Sequence, residues 1–214
     1  MTASLPVVLC YGDSNTHGAN PAGGERFASD VRWPGVLAAL LAGEARVVEE
    51  GLDGRTTIWD DPFTDGRNGR TYLLPCLRSH QPVDVVVIML GTNDLKPIFR
   101  LTPPDIASGA QSLVDLALLS GTGPDGGRPG VLLVAPPALS EATVQSEVWG
   151  FADRQAMARQ LSRLYRAVAE SRDVVFLDAA SLVSGDPADG VHLSAPSHRL
   201  LAEAVAPVVR QLLG

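Results

Sequence analysis

No uninterrupted apolar stretch in this sequence approaches the roughly 18 residues that a membrane-spanning helix needs. Nor does the N-terminus read as a leader. It has no Lys or Arg before Arg26, and its apolar run is strand-length and ends in Gly12-Asp13. Basic residues are scarce, 17 against 24 acidic ones, for a net charge of −7 with no run of Lys or Arg. A nucleic-acid partner needs a basic face, so that class is set aside. Cysteine is nearly absent. Two residues cannot build a disulfide framework, and both are read as buried free thiols, Cys10 in the first strand and Cys76 in a helix. A cytoplasmic location is the default expectation. Repeats and low-complexity tracts are missing too. Residues 12–18 follow neither G-x-G-x-x-G nor a P-loop, which excludes the usual phosphate cradles, and no G-x-S-x-G occurs.

What is present suits one globular domain over residues 1–214, with 45% hydrophobic and 19% charged residues and a mean hydropathy of +0.12. Five apolar runs rich in Val and Ile read as buried strands: 6–11, 46–50, 83–90, 131–135 and 174–177. Helical stripes lie between and after them, over 33–41, 102–120, 152–171 and 195–213. Residues 121–130, rich in Gly and Pro, read as a surface loop because a strand must follow at once. Strand–helix alternation of this kind predicts a parallel, doubly wound α/β sheet.

In such sheets functional groups gather at the carboxyl ends of strands. Four polar clusters fall there: Gly12-Asp13-Ser14, Gly51 to Arg55, Gly91-Thr92-Asn93-Asp94, and Asp189-Gly190-Val191-His192. Ser14 alone would pass for a helix N-cap. Gly12, read as permitting a tight turn, and the distant Asp-x-x-His pair favour chemistry instead. Ser14 is then the nucleophile, His192 the base that takes its proton, and Asp189 the carboxylate that orients the imidazole. The N–H of Ser14, the N–H of Gly54 and the side-chain amide of Asn93 are candidate oxyanion donors. Asp189 and His192 could also be a solvated turn, Gly54 a turn glycine and Asn93 a strand-end residue. A metal at Asp189 and His192 lacks a third ligand. His80 reads as a helix C-terminal residue, His198 as a helix residue without chemical context, and Asp13 as a cap or brace. Arg55, Asp94 and Lys96 are read as structural.

Taken in order, Ser14, Gly54, Asn93 and the Asp189–His192 pair resemble the blocks of the SGNH (GDSL-type) hydrolase superfamily. The segments Val31-Arg32-Trp33, Glu49-Glu50-Gly51-Leu52, Arg55-Thr56-Thr57 and Asp60-Asp61-Pro62 are similar to its bacterial arylesterase and acyltransferase group. This resemblance implies a flavodoxin-like three-layer sandwich with a five-stranded parallel sheet and no cofactor or metal. It implies short-chain aryl or alkyl esters as substrates, with water or an alcohol as acyl acceptor, and a homo-oligomer, often an octamer. Asn15 and His17 stand where that group usually has Leu and Trp, which implies a more polar pocket and favours hydrolysis over transfer. His17 is taken as pocket wall, with Trp149, Phe151 and Val191 as further lining. A carbohydrate O-acetyl esterase is the alternative within the superfamily. A silent binding module is the alternative outside catalysis, but it would be expected to lack a triad residue or Asn93.

Overall fold

The computed structural model describes residues 4–141 and 143–214. Five strands form one parallel sheet: β1 (Val7–Gly12), β2 (Arg46–Gly51), β3 (Val85–Met89), β4 (Gly130–Ala135) and β5 (Val175–Asp178), in the order β2-β1-β3-β4-β5. The helices are α1 (Ser14–His17), α2 (Trp33–Leu40), α3 (Gly69–His80), α4 (Pro103–Leu118), α5 (Val144–Val148), α6 (Gln155–Arg172) and α7 (Ala195–Leu213). No helix is long and apolar enough to cross a membrane among the described residues.

The three layers follow from the two-residue period of a strand. Val7, Leu9 and Tyr11 of β1 join Val86 and Ile88 of β3 in a core shared with α3, α4 and α6. Val8 and Cys10 point the other way and join Val85, Val87 and Met89 against α2 and α7. The continuous apolar runs of β1 and β3 therefore mean burial on both faces. The run at β2 does not. It is only half-buried, because the strand order leaves it at one edge of the sheet and β5 at the other. Helix α5 has no apolar stripe to announce it, since Val144 and Val148 face solvent.

Helix α2 starts in an unusual way. Arg32 at its N-cap supplies no side-chain cap. The first N–H, on Trp33, instead donates to Nδ1 of His198 on α7, at 3.2 Å. That bond places the ring proton on Nε2, where the atom is buried and unpartnered among the described residues. Burial, and then the charges of His192 and Arg32, push the His198 ring down to about 4. The unfolded chain takes up this proton near 6.5, so stability is lost as pH falls from there toward 4. Buried Asp13 and Asp94 titrate in the opposite sense over a similar window, so a difference measurement is needed. In urea unfolding at pH 7 and pH 4, the native chain should lose about 3 kcal/mol more than His198→Asn. Equal losses would show that His198 is not held neutral.

Candidate active site

β1 ends at Gly12, and Asp13 caps the short α1 by accepting the N–H of Asn15 on Oδ1 at 2.9 Å. This puts Ser14 at the mouth of the sheet. Gly12 serves close approach and not, as the sequence suggested, a tight turn: a Cβ there would sit 2.0 Å from Oγ1 of Thr16 and 2.9 Å from the carbonyl of Met89. At the other end of the chain, the loop between β5 and α7 brings His192 back across the same edge. Nε2 of His192 lies 3.0 Å from Oγ of Ser14, and Nδ1 lies 2.7 Å from Oδ2 of Asp189. Oδ1 of Asp189 accepts the N–H groups of Val191 and His192, each at 2.8 Å.

These contacts set the protons. Burial alone would raise the Asp189 carboxyl, but hydrogen bonds from the His192 ring and from the two N–H groups hold it below its ordinary value. An ionised carboxylate only accepts, so Nδ1 of His192 carries the hydrogen and Nε2 is left bare toward the serine hydroxyl. The arrangement can draw a proton from Ser14 as the oxygen becomes nucleophilic.

Ser14, Gly54 and Asn93, which carry the proposed oxyanion donors, line the same cavity, of about 650 Å³, with His192. No backbone partner takes the N–H of Ser14 or Gly54 among the described residues. Gly54 has φ +72°, a left-handed turn that favours glycine. Nδ2 of Asn93 donates to the carbonyl of Arg55 at 3.1 Å, which fixes the amide plane and leaves its second N–H available. The loop behind is braced twice. Arg55 donates through Nη1 to the carbonyls of Gly12, at 2.8 Å, and Glu50, and its guanidinium lies 4.2 Å from the centre of the Tyr11 ring. Asp94 accepts the N–H and hydroxyl of Thr57. Burial pushes Asp94 up to about 7 and Asp13 up to about 6.

His17, Trp149, Phe151 and Val191 all lie on the cavity wall. Trp149, just after α5, meets the His192 ring edge-on with centroids 5.2 Å apart. Lys96, which the sequence read as structural, also lines the cavity, with Nζ 5.4 Å from the Phe151 ring centre. Sequence reasoning missed the rim residues Asn20, Pro21, Arg26 and Gln145. The Gly-rich segment before Arg26 was the only hint of such a loop.

Asn15 requires a correction. It does not line the cavity and so does not make it more polar. Its side chain is buried, with Oδ1 accepting the N–H of Leu193 at 2.9 Å and Nδ2 donating to the carbonyl of Val191 at 3.4 Å. It thus clamps both neighbours of His192 to the residue beside Ser14. Asn15→Leu should cost about 2–6 kcal/mol in unfolding free energy by leaving two buried backbone groups unpartnered, at about 1–3 kcal/mol each. The preference among acyl chain lengths should stay as it was. A changed preference with full stability would return Asn15 to the pocket.

Known proteins share this fold and family pattern. The pattern of the GDSL-like lipase/acylhydrolase family matches residues 10–200. The structure of a native Mycobacterium smegmatis aryl esterase is similar at 44% identity and a TM-score of 0.91, over 97% of this chain and all of that one. A carbohydrate acetylesterase family member from Sinorhizobium meliloti is similar at 40% identity and a TM-score of 0.92, over 98% of this chain and all of that one. No match was found among curated proteins. With the family pattern running from within β1 into α7 and the fold shared over almost the whole length, the chain belongs to the GDSL-like lipase/acylhydrolase family.

Proposed function

We propose that this chain is a serine esterase that hydrolyses short-chain acyl esters of aryl or alkyl alcohols through an acyl-enzyme. The observation that carries the reading is the unbroken run from Ser14 Oγ to His192 to Asp189, at 3.0 and 2.7 Å, opening on a cavity of about 650 Å³. Ser14 attacks the ester carbonyl while His192 takes its proton, and the three donors receive the oxyanion. Each such donor is worth on the order of 10²–10³ in rate. As the carbon–oxygen bond breaks, His192 returns the proton to the departing alcohol, leaving the acyl group on Ser14. A water molecule then attacks the acyl carbon while giving a proton to His192. As the bond to Ser14 Oγ breaks, His192 returns that proton to the serine and the acid leaves. An alcohol entering in place of water would form a new ester, so transfer is a side reaction of the same site.

A carbohydrate O-acetyl esterase is the second reading. It is favoured by the polar rim of Asn20, Arg26, Asp53 and Gln145 around an aromatic Trp149, and by the similarity to the Sinorhizobium structure. Exposed Val144 and Val148 on α5 support a homo-oligomer as part of the proposal. An acyl-length series on p-nitrophenyl esters, run beside an acetylated oligosaccharide and with and without a competing alcohol, separates these readings. For the first, kcat/KM should fall at least about tenfold between butyrate and octanoate as the chain outgrows the walls. The acetylated sugar should remain the poorer substrate. A sugar acetate turned over faster than p-nitrophenyl acetate would select the second reading.

A further inference from the structure

We propose that Glu50, Cys76 and His80 form a binding site for a thiophilic divalent cation of the zinc type, on the β2 edge of the sheet and apart from the ester site. The proposal does not depend on the esterase reading. Cys76 and His80 are four residues apart on α3, so they share one face of that helix, and Glu50 reaches them from β2. The Glu50 carboxylate, the Cys76 sulfur and the His80 ring nitrogen all lie within 4.8 Å of one another, with His80 Nε2 and Glu50 Oε1 at 3.1 Å. Zinc bonds to such ligands are about 2.0–2.3 Å long. In a tetrahedron that corresponds to ligand-to-ligand spacings of roughly 3.3–3.8 Å. Small side-chain adjustments therefore close the site.

The ligand set points to the ion. Thiolate with imidazole selects zinc-like metals over magnesium or calcium, which prefer an all-oxygen shell. Charge is balanced as well. A thiolate and a carboxylate together neutralise a divalent ion, which matters because the Arg55 guanidinium is close enough to donate to the Glu50 carbonyl. Arg55 is itself engaged by the carbonyls of Gly12 and Glu50. Glu50, Arg55 and Tyr72 also border a second cavity of about 460 Å³, which shares no lining residue with the ester cavity. Of the three ligands only Glu50 borders it, so that opening gives room beside Glu50 for a fourth, exchangeable ligand, as three protein ligands require.

The test uses chelator-treated full-length protein and Co(II) as the probe. Addition of Co(II) should produce a sulfur-to-cobalt charge-transfer band together with the visible bands of a tetrahedral ion, saturating at one equivalent and displaced by Zn(II). Cys76→Ser should lose the charge-transfer band, and Cys10→Ala should keep it. Glu50→Gln and His80→Ala, at partly exposed positions that should tolerate change, should each weaken binding by at least about tenfold, the effect of losing even an outer-shell partner. The proposal is overturned if the native chain gives no such band in excess Co(II), or if the band survives in Cys76→Ser. Should Cys76→Ser fail to fold, unchanged affinity in both other variants overturns it equally.

Discussion

Ser14→Ala should lower kcat for p-nitrophenyl acetate by about 10⁶-fold, the scale of removing the nucleophile from a serine hydrolase. The fold should survive the change. Among the described residues, Oγ of Ser14 meets one partner, His192 Nε2. The work that Ser14 does for the backbone, its carbonyl accepting the N–H groups of Gly18 and Ala19, is done equally well by alanine. Alanine is also the best residue for the start of α1 in helix propensity. Steady-state rates and a thermal melt on the same preparation check both halves of the expectation. Turnover within tenfold of the native chain, with the melt unchanged, would remove the serine mechanism and assign the chemistry to another group.

How much of this could be read from the sequence depended on how local each signal was. β1, β3 and β4 were legible because burial on both faces leaves an unbroken apolar run. The segment at β2 was read the same way although only Val47 and Val48 of Arg46–Gly51 are apolar, and its charged residues suit the edge position that the strand order gives it. Ser14, Gly54, Asn93, Asp189 and His192 each sit in a short pattern, and a parallel sheet collects the ends of its strands on one edge. Their company was therefore readable without coordinates. Asn15 was not. Its partners are 176 and 178 residues away, and nothing in the sequence separates an amide that clamps a loop from one that faces a pocket. His198 was set aside for the same reason, since the N–H it accepts belongs to a helix 165 residues earlier. Lys96 lacks any period or motif and the rim at Asn20 to Arg26 has only its Gly-rich run as a hint, so the cavity is what reveals their place.

Asp189→Asn isolates orientation from presence, and its expected cost is on the order of 10⁴ in kcat. The amide oxygen can take the place of Oδ1 and go on accepting the N–H groups of Val191 and His192, so the turn should hold its shape. The amide nitrogen then faces Nδ1 of His192 where Oδ2 stood, 2.7 Å away in the native chain. Two donors cannot share that bond. The ring must surrender its Nδ1 hydrogen and carry it on Nε2, which points a donor at Ser14 and removes the acceptor that the first step needs. The imidazolium formed during attack also loses the carboxylate that balances its charge. KM should change little, because Asp189 does not line the cavity. Nitrogen chemical shifts of the His192 ring should report the proton on Nε2 in the variant and on Nδ1 in the native chain. Should kcat fall less than tenfold while the shifts show the flipped tautomer, His192 could not be the base for Ser14, and the proton would have to leave by another route.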